Sequence, residues 1–308
     1  KIMITRKVIS QFYIIIILKN ALFSQSALLI KPKILDPERS YFSILISPDR
    51  SCIALTNSNY TTLEIMNQRI SKNVKVSIPF MNAFQAKWSP DSDKLLLLRS
   101  RYDNKRRTNS LIVINQEGEF LETIVDFTTQ NLYPLEWTGN NTLHYLSEEK
   151  LITYNLEGSD NEWDYPLVYA VNNKLFKKVN QHDPELLYTA ENTILNVSSS
   201  KYGNLVAFEV YGSNIIIIDN LKMVTTDLKT GNAPKVSPNG KMVTFMVLED
   251  DGYQITSGDV YIWDTITKEI NAVGHNPELI EMNPVWASDE LVSYIIYPEG
   301  LIETVSIK

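Results

Sequence analysis

The sequence predicts an all-β fold, and three observations predict it. A strand–turn–strand phrase returns along the chain, its turns are written in proline, aspartate and asparagine, and the runs behind them are apolar on both sides. The phrase occurs as LISPDRSCIALT (45–56), KWSPDSDKLLLL (87–98), EWTGNNTLHYL (136–146), SSSKYGNLVAFEV (198–210), KVSPNGKMVTFMV (235–247) and VWASDELVSYII (285–296). Its turns begin at Ser47, Ser89, Thr138, Ser200, Ser237 and Ala287, spaced 42, 49, 62, 37 and 50 residues apart. Further strand-like sequence follows each phrase, such as SLIVINQ, KLITYNL, NIIIIDN and DVYIWDT, giving about four strands per unit. Units of that length are the signature of propeller blades. The expectation is a six-bladed β-propeller with four-stranded antiparallel blades.

Each element has a reason. Residues 1–26 read as a secretory signal: basic Lys1, Arg6 and Lys7, an apolar run from Phe12 to Leu18, then small residues before Ala27. Export to the periplasm or the extracellular space is therefore expected, and cleavage after Ser26 would take the net charge from -7 to -11, since four basic and no acidic residues leave. The rest, 27–308, reads as a single propeller domain. Its first stretch, ALLIKPKIL (27–35), precedes the first unit, while the last unit looks one strand short, so this segment is expected to supply the missing strand and close the ring. Pro48, Pro90 and Pro238 pre-set φ for a β-turn, and Asp49, Asp91 and Asn239 suit the position after it. Trp88, Trp137 and Trp286 share one register before the turn and are expected to pack between blades. Residues 172–191 read as a long connection that accounts for the spacing of 62. Cys52 is the only cysteine, so no intrachain disulfide can form, and its apolar surroundings predict packing rather than chemistry.

The residues W-S-P-D-x-x-K-L at 88–95 and S-P-N-G-K-M at 237–242 resemble the Pro-Asp propeller repeat of TolB and of the propeller domains of prolyl oligopeptidases and dipeptidyl peptidases. The likeness covers residues 40–308, strongest in the second and fifth repeats. It implies a TolB-like, WD40-like six-bladed scaffold that binds other envelope proteins. The peptidases' hydrolase is not implied, because the chain has no G-x-S-x-G.

Composition bears on the partner. With 29 basic and 36 acidic side chains, the chain is a poor match for nucleic acid, and its apolar N-terminal run is too short to span a membrane. A protein or an envelope polymer is the expected partner. RSRYDNKRRTN (99–109) holds Arg99, Arg101, Lys105, Arg106 and Arg107, a cationic loop able to hold an anionic surface. Together with Tyr60 in the loop 57–62 and Asp250 and Asp251 in the loop 249–258, it forms a loop-rich rim on one face, the expected binding surface. No cofactor and no metal are expected. His144, His182 and His275 lie far apart without zinc-ligand spacing, and Asp250, Asp251 and Asp259 lack the regular spacing of a calcium loop. Asn59, Asn140 and Asn196 match glycosylation acceptors, relevant only in a eukaryotic host. The leading expectation is an exported non-enzymatic scaffold. The alternative is a polysaccharide lyase or glycosidase, with acids and histidines of different blades meeting at the channel mouth.

Overall fold

The computed structural model of the protein describes residues 41–156, 163–212, 214–273, 276 and 278–307, and among these it holds 25 strands and no α-helix. No helix among them is long and apolar enough to cross a membrane. The segment 1–40, with the expected signal and closing strand, lies outside the described residues.

Antiparallel meanders account for nearly every strand. Unit 1 is β1 (Ser43–Ile46), β2 (Cys52–Thr56), β3 (Leu63–Asn67) and β4 (Lys72–Val76); unit 2 is β5 (Met81–Trp88), β6 (Lys94–Asp103), β7 (Arg106–Asn115) and β8 (Phe120–Thr128). Unit 3 has three strands, β9 (Leu132–Trp137), β10 (Thr142–Ser147) and β11 (Lys150–Asn155), as does unit 4, with β12 (Leu167–Val171), β13 (Lys174–Lys178) and β14 (Glu185–Thr189). Unit 5 comprises β15 (Ile194–Ser199), β16 (Leu205–Val210), β17 (Asn214–Asp219) and β18 (Val224–Asp227). Unit 6 comprises β19 (Asn232–Val236), β20 (Met242–Asp250), β21 (Ile255–Asp264) and β22 (Ile270–Ala272), and unit 7 β23 (Ile280–Ser288), β24 (Leu291–Tyr297) and β25 (Leu301–Ser306). A parallel contact, Gly258 to Ile280, joins units 6 and 7 into one sheet. Gly258 permits this approach, since a Cβ there would stand 3.0 Å from the carbonyl oxygen of Glu281.

The turn grammar follows from hydrogen bonding within five residues. Ser47 Oγ accepts the N–H of Cys52 (2.9 Å) and donates to Asp49 (2.8 Å). Ser89 does the same with Lys94 and Asp91, and Ser237 with Met242 and Asn239. Three residues after each serine the chain turns left-handed, at Arg50, Ser92, Gly203 and Gly240. Successive turns are also stitched together, Asp49 N–H to Ser92 Oγ (3.0 Å) and Asn239 N–H to Asp289 (2.9 Å). Partial burial pushes the Asp49 and Asp91 carboxyls up, but hydrogen bonds from serine, backbone and, for Asp91, Lys94 outweigh it and hold both below the ordinary value. A carboxyl depressed in the folded state contributes stability above its unfolded pKa of about 3.9, and that contribution is lost as pH falls through the folded value. Asp91→Asn is expected to flatten the fall of Tm between about pH 5 and about pH 2. An unchanged acid slope would remove this carboxylate from the cause.

Alternating leucines explain the packing. On β6, Leu95 and Leu97 enter the core between units 1 and 2, while Leu96 and Leu98 enter the core between units 2 and 3. On β16, Val206 and Phe208 face unit 4 while Leu205 and Ala207 face unit 6. Every strand of this kind is covered on both faces, so both parities must be apolar. Such seams lie between all consecutive units, and another, with Ile53 and Leu55 against Leu291 and Ile295, packs unit 7 on unit 1. That contact is made by side chains; no strand pairing joins the two units among the described residues.

Three expectations are corrected. Among the described residues the strands fall into seven units rather than six, the seven-stranded sheet dividing at the Gly258–Ile280 contact, because 172–191 is no connection: it contains β13 and β14 of a separate sheet. Those strands, KLFKK and ELLYT, are only partly buried and lack the turn phrase, which hid them. Nor are all units four-stranded among the described residues, since units 3, 4 and 7 show three strands each. At the end of β12, Asn172 accepts from the N–H of Ile194, at the start of β15, and its Nδ2 reaches Glu149, on the hairpin beside the start of β9. At its other end, the N–H groups of Asp164 and Tyr165 meet the carbonyl of Thr138, just past β9. β12 therefore runs opposite to β9 and β15. Finally, residues 99–109 are no loop: β6 and β7 continue paired from Arg99↔Ser110 to Asp103↔Arg106.

Candidate functional site

The first strand of every unit lines a central channel enclosing a cavity of about 870 Å³. Four of these strands carry the same irregularity. Gln85, Asn196, Ala233 and Asn283, each four residues before the turn, have φ of 59°, 46°, 48° and 52°, and each sits in a bulge of its strand pair. The bulge re-aims the residues that follow it. Two residues before the turn, Leu45, Lys87, Glu136, Ser198, Lys235 and Val285 occupy equivalent positions and all line the cavity. Tryptophans fasten this level: Trp88, Trp137 and Trp286 donate Nε1–H to the carbonyls of Leu45 (3.2 Å), Lys87 (3.0 Å) and Lys235 (2.8 Å), each on the preceding unit. Their expected place between units is observed.

Three charges stand on that level. Lys87 Nζ pairs with the Glu136 carboxylate across units 2 and 3. Burial pulls Lys87 down, but the Glu136 carboxylate outweighs it and holds the ammonium above the usual lysine range. Lys235 has no such counterion among the described residues. Burial and the charge of Lys87, only partly offset by Glu136, bring it to about 8. Gln85 donates to Tyr133 Oη beside them.

The expected rim residues are in part brought together. Arg99 and Arg101 stack on Phe127 (4.8 and 3.9 Å), Arg101 also approaches Phe80 (5.7 Å), and the two rings meet edge-on. Arg101 Nε is tied to Asp103 (2.7 Å), Arg99 Nη2 to Ser110 (2.9 Å) and Arg107 Nη2 to Ser100 (3.0 Å). Arg99 Nε, though buried, has no acceptor among the described residues. Burial and the neighbouring Arg101 guanidinium lower the Arg99 pKa. Lys105, in the left-handed turn, and Arg106 are exposed, as is Tyr102 at 76%. Sequence reasoning missed Phe80 and Phe127, which come from opposite ends of unit 2. Tyr60 lies apart, packed edge-on against Phe42 at the cavity wall. Asp250 and Asp251 accept backbone N–H groups of their own hairpin, from Gly252 and from Tyr253 and Gln254, and so shape its tip.

His144 is wholly buried between Thr138 (2.8 Å) and Thr153 (3.1 Å), and burial drops its pKa to about 3, so it stays neutral. His182 does not line the channel, and His275 lies outside the described residues. The channel carboxylates Glu136 and Glu149 are committed to different partners, Lys87 and Asn172. Among the described residues no cluster of three or more His, Cys, Asp or Glu side chains is placed to hold a metal. Cys52 is buried in the seam between units 1 and 2, where burial raises its thiol pKa.

No protein-family model matches the sequence, and no curated protein matches it. Solved structures do. The β-propeller domain of Cps50 (Swd1) from Myceliophteria thermophila is 13% identical with a TM-score of 0.60, over 88% of this chain and 98% of that one. Hsv2 from Kluyveromyces lactis is 9% identical at 0.55, over 88% and 98%. An oligogalacturonate lyase in complex with manganese is 11% identical at 0.50, over 88% and 78%. At such identities the likeness shows the fold alone, a β-propeller.

Proposed function

We propose that the protein is an exported, TolB-like propeller acting as a non-enzymatic scaffold, which holds an anionic protein or cell-envelope polymer against its rim. One observation carries this reading: the β6–β7 hairpin extends past the apolar seams and presents arginines stacked on Phe80 and Phe127 beside the exposed Tyr102. Arginine and aromatic side chains carry most of the binding energy at protein interfaces, and stacking sets these before any partner arrives. On a chain of net charge -7, five cations within nine residues select for negative charge. Export rests on the order of basic, apolar and small residues in 1–26. The seven units serve as blades of one ring, a reading supported by the seam between units 7 and 1, and 27–35 remains the candidate for a closing strand.

Reversing the charge of Lys105, Arg106 and Arg107 together is expected to cut recovery of the partner from an envelope extract by at least about tenfold, with identities read by mass spectrometry. Arg101→Glu, which also breaks the stack on Phe127, should do the same alone. Undiminished recovery with both variants would refute the rim as the binding surface.

A further inference from the structure

We propose that the central channel is a binding site for a small organic monocarboxylate, its charged end seated on Lys235 and Lys87 and its hydrocarbon part on Leu45 and Val285. Going round the channel from unit 6, the equivalent positions read Lys235, Val285, Leu45, Lys87 and Glu136. Two ammonium groups are thus separated by two apolar side chains on one arc. Charge balance selects the ligand. Lys87 is neutralised by Glu136, while Lys235 makes no ion pair among the described residues. At this level two ammonium groups and one carboxylate leave one positive charge, and Lys201 and Glu149 elsewhere on the cavity wall offset each other, so a single carboxylate cancels it. A dianion would overshoot and leave an unpaired negative charge. The space is adequate, since about 870 Å³ falls within the 300–1,000 Å³ common to small-molecule sites. Such a carboxylate can arrive as a free acid or as the C-terminus of a peptide ending in an apolar residue.

The site has a pH signature. Burial and the charge of Lys87 bring Lys235 to about 8. An anion beside it raises that value, so the protonated form binds and affinity is lost as pH rises through 8: about tenfold between about pH 7 and about pH 9. Other groups face the same cavity. Lys87 comes from β5, Tyr133 from β9, Tyr169 from β12, and Lys201 and Tyr60 from turns. All five are pushed upward, away from that window. The remaining ones are Glu136, already paired, Glu149 and Tyr165.

Calorimetric titration of the whole chain tests this, with 4-methylpentanoate and its amide as probes, alongside a leucine-terminated tripeptide with free or amidated C-terminus. The carboxylates are expected to saturate the protein, with each amide at least about tenfold weaker. Lys235→Met should abolish binding. Lys235→Arg should bind at about pH 7 and lose the fall toward about pH 9, because a guanidinium does not titrate there. Tighter binding of the free-ended peptide than of the small acid assigns a peptide source, and the reverse a free acid. The site does not exist as proposed if amides match carboxylates, if inorganic phosphate matches them, if no carboxylate saturates below about 10 mM, or if Lys235→Arg keeps the wild-type pH profile.

Discussion

Trp137→Ala is expected to lower the unfolding free energy by about 3–5 kcal/mol, the usual cost of truncating a large buried aromatic. The indole is 5% exposed and fills the seam between units 2 and 3 with Leu96, Leu98, Leu111 and Leu143. Its loss opens a cavity there and strips the Lys87 carbonyl of its donor. Trp137→Phe separates the two effects: most of the ring remains, the N–H is gone, and about 1–3 kcal/mol should be lost. Urea unfolding followed by circular dichroism measures both. Losses below about 1 kcal/mol for the alanine variant would mean that the seam is not packed as described.

Gly231→Ala should cost about 2–4 kcal/mol by the opposite route, overfilling rather than emptying. Gly231 has φ of +108°, and a Cβ there would stand 2.6 Å from Ile215 Cδ1 and 2.7 Å from Phe245 Cδ2, both in the seam between units 5 and 6. Gly212 provides the control. Its φ is +110°, and a Cβ there would meet no described atom within 4 Å, so Gly212→Ala carries backbone strain alone, about 1–2 kcal/mol. A Gly231 variant no less stable than the Gly212 variant would show that the seam yields freely to an added methyl.

How much of the site was legible varies with residue. Arg99, Arg101, Lys105, Arg106 and Arg107 were visible as a cluster, but read as a loop, because their sequence lacks the apolar runs of buried strands. Strand pairing needs only backbone partners, and the β6–β7 register extends into solvent by that means. Phe80 and Phe127 gave no signal, since only the pairing of four strands brings them beneath the arginines. Lys87, Glu136 and Lys235 could have been found: aligning the phrases puts each one residue before the Trp or Val that precedes the turn, as K-W-S, E-W-T and K-V-S.

What the amino-acid order determined by itself is local. The serine turns close within five residues, and the two-sided apolar strands declare within one run that both faces will be covered. Those suffice for an all-β fold of repeated units. Tertiary structure alone decided that the described strands fall into seven units, that β12 runs against its neighbours, and that Lys87, Glu136 and Lys235, remote from one another in the chain, place two ammonium groups and one carboxylate at one level of the channel. The reason is physical: pairing and seam packing join segments remote in the chain, and the free energy deciding among partners lies in surfaces that exist only once the units meet.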